Sequence, residues 1–310
     1  MIERTPLLNA LTHAIMIGGL LVALVPLWLV FVAASLTLTE VNTPPISIIP
    51  GTHLFENLAE AWQRAAMGPK LFNSLFMSIM VAAGKIAFSS VTAFGIVYFR
   101  FPGRMIAFWM IFITLMLPLE VRIVPTYAVA ANALSPFQHL IASLGIVDLV
   151  AWVSGWQIDM QWNLLNSRTG LVLPLVATAT GTFLYRQFFL TVPAELFEAS
   201  RMDGAGPLRF FWQILMPLSR TNMIALFTIM FLYAWNQYLW PLLITTDRAN
   251  FGTAVMALRL LLPAIGDSTG GAVPDWNVAM AGCLIVILPP MLVVATLQRF
   301  FIRGLVSADK

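Results

Sequence analysis

Between Thr5 and Thr39 the chain carries no Asp, Glu, Lys or Arg. A helix needs about 20 predominantly apolar residues to cross the hydrocarbon core of a bilayer. The first apolar segment, about 11–38, meets that length. Five further segments of the kind follow. The second, 71–99, is interrupted by Lys85, and the third, 105–131, by Glu120 and Arg122. The others are 170–189, the charge-free 221–245, and 276–297. Pro26, Pro118, Pro125 and Pro174 fall inside these segments, a position that membrane helices tolerate better than soluble ones. Only 10% of the 310 residues are charged, against about 25% in soluble domains. Too few charges remain to cover a water-facing surface, so the sequence predicts an all-α polytopic membrane protein of six transmembrane helices. It forms one transmembrane domain over 1–310, with no repeat and no soluble domain.

The first segment has a cleavage-like Val32-Ala33-Ala34, but its apolar run exceeds the roughly 7–15 residues of a signal peptide. It is expected to be an uncleaved span. The net charge of +3 is better read as topology than as affinity for nucleic acid, because Lys and Arg flanking spans mark the cytoplasmic side. With the N-terminus inside, Arg4, Arg100, Arg104, Arg186, Arg201, Arg209, Arg220, Arg299, Arg303 and Lys310 fall inside. Arg64, Lys70, Arg168, Arg248 and Arg259 fall outside. Both termini are therefore expected in the cytoplasm. Segment 136–156 is apolar enough to be a seventh span, but its crossing would move the basic loops of the second half outside. Asp148 and the spaced Trp152, Trp156 and Trp162 fit a helix lying in the outer interface. The single cysteine, Cys283, sits in an apolar run and is expected to pack there.

Between the fourth and fifth spans lies the polar stretch 190–220. Pro193 suits a helix start, and Glu195 and Glu198 fall in the favourable early turns. Gly204 is placed as a C-terminal stop. Pro207 opens a second short helix, on which Leu208, Phe211, Trp212 and Leu215 are expected to form one apolar face. Pro217 ends it. The prediction is a helical hairpin joined through Gly204-Ala205-Gly206. From physics alone it is either a solvated loop with interfacial helices or a grip for a soluble partner.

The residue order adds to this. Glu198-Ala199-Ser200, three residues, Gly204, nine residues, Ile214, one residue, then Met216-Pro217 resembles the coupling loop of ABC importer permeases. Ser200 and Met216 are conservative departures from that pattern. Further likeness lies in Phe99-Arg100-Phe101-Pro102, in Met116-Leu117-Pro118-Leu119-Glu120-Val121-Arg122 and in Trp235-Asn236-Gln237-Tyr238-Leu239-Trp240-Pro241. These stretches are similar to permeases of the sn-glycerol-3-phosphate branch of the maltose-type carbohydrate importers. The stretch 135–169 is longer than that branch leads one to expect.

The resemblance implies a multi-pass permease subunit of the bacterial inner (cytoplasmic) membrane. It implies import of sn-glycerol 3-phosphate or glycerophosphodiesters, the alternative cargo being another phosphorylated or neutral sugar, with no enzyme activity and no cofactor of its own. ATP and Mg would sit on a cytoplasmic ATPase dimer that docks on Glu198, Ala199, Ser200, Asp203, Gly204, Ile214 and Pro217. A second permease subunit and an extracytoplasmic substrate-binding protein are the other implied partners, and no nucleic acid is.

A charge at the bilayer centre costs at least about 2.5–3.5 kcal/mol on insertion scales, so Lys85, Glu120 and Arg122 need partners or water. Two readings of Arg122 stand. Glu120 neutralises it and fixes packing, or it serves transport, since its planar donors suit a phosphate. Lys85 reads first as structural. Gly84-Lys85 is no phosphate loop, because Ile79 and Ile86 occupy the positions that motif needs. Glu120 and Asn236 each lie 15 residues into a span, about 22 Å from its start. Glu120, Arg122, Trp235, Asn236, Gln237 and Tyr238 are therefore the candidate pathway residues, with Trp235, Tyr238 and Trp240 first read as packing. Two other classes compete: an ion-coupled secondary transporter with Glu120 as proton carrier, and an intramembrane enzyme. Against the latter, His13, His53 and His139 are scattered and no nucleophile–base constellation is visible.

Overall fold

The computed structural model describes residues 6–114, 117, 119–144, 161–177, 179–262 and 274–308. Every regular element among them is a helix. Pro6–Ser35, Met67–Tyr98 and Trp276–Ala308 are long enough and apolar enough to cross a membrane unbroken. The other three expected spans are interrupted. The third is Arg104–Ile113 followed by Leu119–Ala131. The fourth is Arg168–Val176 followed by Ala179–Thr191. The fifth is Arg220–Trp235 followed by Leu239–Ile244. Asp148, Trp152, Trp156 and the rest of 145–160, together with Arg4 and Lys310, lie outside the described residues.

Contacts group the chain into two compact units, residues 1–68 with 256–289, and residues 69–255 with 290–310. In the first unit, Val32, Leu36 and Val41 make a small core. Buried Asn57 ties it together. Its amide donates to the carbonyls of Ala34 at 2.8 Å and Leu36 at 2.9 Å, the groups left over where the first helix ends. Its Oδ1 accepts from Asn277 at 2.9 Å. Arg64 donates to Asp275 and to Glu60, and the Asp275 carboxylate holds that guanidinium above its ordinary pKa.

In the second unit, the core joins Met77 and Val81 of the Met67–Tyr98 helix to Ile123, Leu171, Ala234, Trp240 and Ile244. Pro174 lies inside the Arg168–Val176 helix, which runs on two residues beyond it. Pro174 has no N–H to give the carbonyl four residues earlier, which is Gly170. That carbonyl instead accepts from the indole of Trp240 at 3.2 Å. Position 170 must be glycine, since a Cβ there would lie 2.0 Å from the Leu164 oxygen. One end of this unit is stitched by side chains. Asn166, at φ +50°, accepts from the amides of Thr246 at 2.8 Å and Asp247 at 2.9 Å. Asn73 donates to the carbonyls of Asn250 at 2.7 Å and Gly252 at 3.1 Å. Backbone bonds also join Ala133 to Trp162 at 2.8 Å and Leu164 to Ala130 at 2.9 Å.

Trp240→Phe keeps an aromatic ring, smaller than the indole, and leaves the Gly170 carbonyl without its donor in a buried core. It is expected to destabilise the protein by about 1–3 kcal/mol, read as a lower thermal midpoint in detergent. A midpoint equal to wild type would show that the carbonyl finds another donor.

Candidate functional site: the helical hairpin and the polar cavity

The first hairpin helix is Ala194–Met202, with Pro193 as its N-cap and Glu195 in its first turn. It ends in a Schellman motif. Ala205 N–H donates to the Ser200 carbonyl at 2.9 Å and Gly204 N–H to Arg201 at 3.1 Å, which places Gly204 at φ +73°. Only a residue without Cβ adopts this conformation at no cost, so the glycine expected to stop the helix does so. Pro207 opens the second helix, Pro207–Phe210. This runs through a wide π-turn, Phe211–Leu215, into Met216–Leu218. The widening precedes Pro217, whose ring crowds the carbonyl four residues back and has no N–H to bond it. Ser219 then turns the chain, and Arg220–Trp235 leaves at 74° to the hairpin helix.

The π-turn changes which side chains face inward, and this corrects the apolar face expected from a regular helix. Phe211 and Leu215 are buried as expected, but so is Phe210, while Leu208 is 72% and Trp212 64% exposed. A regular 3.6-residue period does not carry through five residues wound as a π-turn.

An aromatic cage fixes the hairpin to the ends of two spans. Tyr98, the last residue of its helix, lies 5.2 Å from Phe197, 5.3 Å from Phe210 and 6.3 Å from Phe189, centroid to centroid. Phe197 and Phe210 meet edge-on at 5.0 Å, bridging the hairpin's two arms. Phe94 contacts Phe211 at 5.0 Å. Such pairs add about 0.5–1.5 kcal/mol each beyond area burial.

The opposite side of the hairpin is open. Of the expected coupling residues, Glu198, Ala199, Asp203, Gly204 and Pro217 are exposed and Ile214 is half-buried. Ser200 is buried and donates to the Phe197 carbonyl at 2.7 Å. Met202 is 84% exposed beside the turn. Among the described residues, Glu198 and Asp203 make no ion pair. The tip thus presents apolar Met202 and Leu208 with free carboxylates around them.

The candidate pathway residues divide. Trp235 is 1% exposed and stacked on Phe231 at 5.8 Å, so it is core. Asn236, Gln237 and Tyr238 form the break in the fifth span. Asn236 caps the preceding helix and is exposed, and the next two are half-buried. The side chain of Glu120 lies outside the described residues. Arg122 lines a different cavity, of about 450 Å³, with Ser89, Thr92, Thr114 and Thr182 among its walls. The Arg122 Nε is buried with no hydrogen-bond partner. The residues of the fifth-span break do not line this cavity. Lys85 is 1% exposed, with Nζ 4.1 Å over the Tyr233 ring. Among the described residues neither cation has an ion pair. Sequence reasoning missed the hydroxyls. The signal was present in Lys85, Ser89 and Thr92, which share one helix face at i, i+4 and i+7.

The family model of binding-protein-dependent transport system inner membrane components matches residues 85–307, which include the hairpin and the cavity. The chain belongs to this family. Relatives named sn-glycerol-3-phosphate transport system permease protein UgpE are 46% identical over the full length of both chains. They come from Yersinia enterocolitica over 316 residues and from Brucella melitensis over 317. A solved bacterial ABC transporter, described as involved in import of the acidic polysaccharide alginate, has a chain with TM-score 0.70 at 18% identity. The match covers 97% of this chain and 99% of that one, and at that identity it supports the fold. The permease is therefore an ABC importer subunit of the inner membrane, a transport component rather than an enzyme. The ion-coupled alternative, with Glu120 as proton carrier, is set aside.

If the aromatic cage holds the hairpin, Phe210→Ala should loosen it, since burying Ala for Phe costs about 3–5 kcal/mol. Limited trypsin digestion is expected to cut at exposed Arg201 and Arg209 several-fold faster, while Tyr98→Phe leaves the pattern unchanged. Equal digestion of Phe210→Ala and wild type would mean that the cage does not restrain the hairpin.

Proposed function

We propose that the permease is one of two related membrane subunits of an importer for sn-glycerol 3-phosphate or a glycerophosphodiester, driven through the 194–218 hairpin by a separate ATPase dimer. The observation that carries the mechanical part is the hairpin itself. It is anchored by rings on one side, and on the other it exposes Met202 and Leu208. A short rigid lever of this kind transmits a push from a soluble subunit into the span it turns into. Glu198, Ala199, Asp203, Gly204, Ile214 and Pro217 form or shape the docking face, and Ser200 locks the helix beneath it. ATP and Mg belong to the ATPase, and this chain binds no cofactor.

The proposed topology is one domain of six spans with both termini in the cytoplasm, three of the spans being broken helices. Support comes from the basic residues and from the closed base of the outer excursion. Ala133 and Trp162 are hydrogen-bonded at 2.8 Å, whereas one crossing between them would part them by about 30 Å. Broken helices in membranes occur where they are buried in protein or line a water-filled cavity. An extracytoplasmic binding protein would deliver cargo to the outer loops. The cargo assignment rests on the likeness to the glycerol-phosphate permeases and on Arg122, a planar, permanently charged phosphate ligand type, facing a cavity.

Two variants test this in proteoliposomes containing the whole complex. Gly204→Asp puts a Cβ and a charge at φ +73° in open space, so the complex should assemble and hydrolyse ATP while uptake is lost. Unchanged uptake would remove the hairpin's coupling role. Arg122→Ala should lower uptake of sn-glycerol 3-phosphate about 10- to 100-fold, the worth of one hydrogen bond to a charged group. Wild-type rates in that variant would take Arg122 out of the pathway.

A further inference from the structure

A slot of about 590 Å³ opens where the hairpin turns into the fifth span. Its floor is one stripe of the Met67–Tyr98 helix, Ala83, Ala87 and Val91, spaced a turn apart. Trp212 and Met216 wall it from the hairpin, and Leu297 walls it from the last helix. Met223, Ile224 and Phe227 complete it from the first turns of Arg220–Trp235. Among the lining residues Ser90 carries the one hydroxyl, and that hydroxyl already donates to the Ala87 carbonyl at 3.1 Å. The slot therefore takes an apolar occupant.

Its width says which kind. From Ala83 to Val91 the floor runs about 12 Å, so about 590 Å³ over that length is a section of about 50 Å². An α-helix with its side chains is about 10 Å across, a section of about 80 Å². A neighbouring helix is too broad to enter, and a hydrocarbon chain is not.

The slot is apolar along its length and basic at one end. Arg220 stands at i to Met223, Ile224 and Phe227 at i+3, i+4 and i+7, so it shares their face one turn before the slot begins. It is exposed, and among the described residues it has no ion pair. The segments that line the slot, Met67–Tyr98, Pro207–Leu218, Arg220–Trp235 and Trp276–Ala308, contain no Asp or Glu. Trp212, largely exposed on the hairpin, belongs to the residue type that settles at the membrane–water interface. Basic residues at that interface attract anionic lipid headgroups.

We propose that the slot holds one acyl chain of an anionic phospholipid, with the lipid phosphate on Arg220, and that this lipid braces the joint between hairpin and span. The inference goes beyond the transport reading and takes from it only the topology, which makes the leaflet the inner one. The chain touches both sides of the 74° bend, Trp212 and Met216 before it and Met223 and Phe227 after it. Atoms that line an empty slot lose their packing contacts, so a filled slot stiffens the bend through which the hairpin pushes.

The test uses the complete complex, reconstituted in phosphatidylcholine vesicles with and without phosphatidylglycerol. Lipid retained after transfer to detergent is read by mass spectrometry, and uptake is read in the vesicles. Wild type should retain phosphatidylglycerol in preference to phosphatidylcholine and transport faster in its presence. Arg220→Gln should retain about five-fold less, and Arg220→Lys should restore retention. Ala87→Phe fills the slot from a position exposed on its helix, so it should assemble, retain as little and lose the response of uptake to phosphatidylglycerol. Leu292→Phe, exposed on the last helix but outside the lining, should behave as wild type. Wild-type retention in Ala87→Phe and Arg220→Gln, or an equal loss in Leu292→Phe, would overturn the site. Lost retention with an unchanged response of uptake would overturn the bracing role. A cross-link from Ala87→Cys to the second permease subunit would seat a protein there and overturn the lipid. Retention is read without transport, so a complex that keeps the lipid but moves no glycerol phosphate overturns the cargo reading alone.

Discussion

Hydrocarbon offers no water to a backbone carbonyl, a hydroxyl or an ammonium, and the architecture follows from where this chain satisfies those groups by other means. Pro174 frees the Gly170 carbonyl, and Trp240 reaches across from the next span to pair with it. The first helix ends with open carbonyls, and Asn57 pairs with two of them. Among the described residues Lys85 has no ion pair, and its ammonium lies over the face of Tyr233. Each solution ties together elements distant in sequence, so the same bonds that satisfy polar groups also set the packing. Among the buried polar atoms left without a partner is the Arg122 Nε, which lines a cavity.

The hairpin solves a different problem. A polar segment between two spans is ordinarily free to move, and a mobile loop cannot transmit force. Here Tyr98, Phe189, Phe197 and Phe210 form one ring cluster that joins the ends of two spans to both arms. The Gly204 turn projects beyond it with nothing within contact of a would-be side chain. The same residues are thus rigid on the membrane side and bare on the other.

Much of this was legible in the chain. The apolar runs marked the long helices, and Gly204 and Pro207 marked the hairpin's turn because αL geometry and a missing N–H are properties of single residues. The breaks in the third, fourth and fifth spans were not legible. Prolines were visible at 118 and 174, but what becomes of a carbonyl that a proline frees depends on which donor is nearby to take it, and Trp240 is 66 residues away from Pro174. The π-turn was hidden for the same reason, and with it the exposure of Leu208 and Trp212. The cage could not be read because its rings come from four separate stretches. Arg122 was legible as an oddity of charge. Its hydroxyl neighbours were not, since Ser and Thr are ordinary in membrane helices and only the packing of Gly181 against Ser89 makes them a wall.

The central claim is that the exposed tip of the hairpin meets the ATPase. It is tested most directly by cross-linking in native membranes, in a background where the half-buried Cys283, the sole cysteine, is replaced by Ser. A thiol introduced by Met202→Cys should cross-link to the co-expressed ATPase subunit, with a yield that changes on ATP binding, while Ile49→Cys, in the segment that the proposed topology puts outside the cytoplasm, should give none. An ATPase cross-link from position 49, or none from position 202 in an assembled and active complex, would contradict the account.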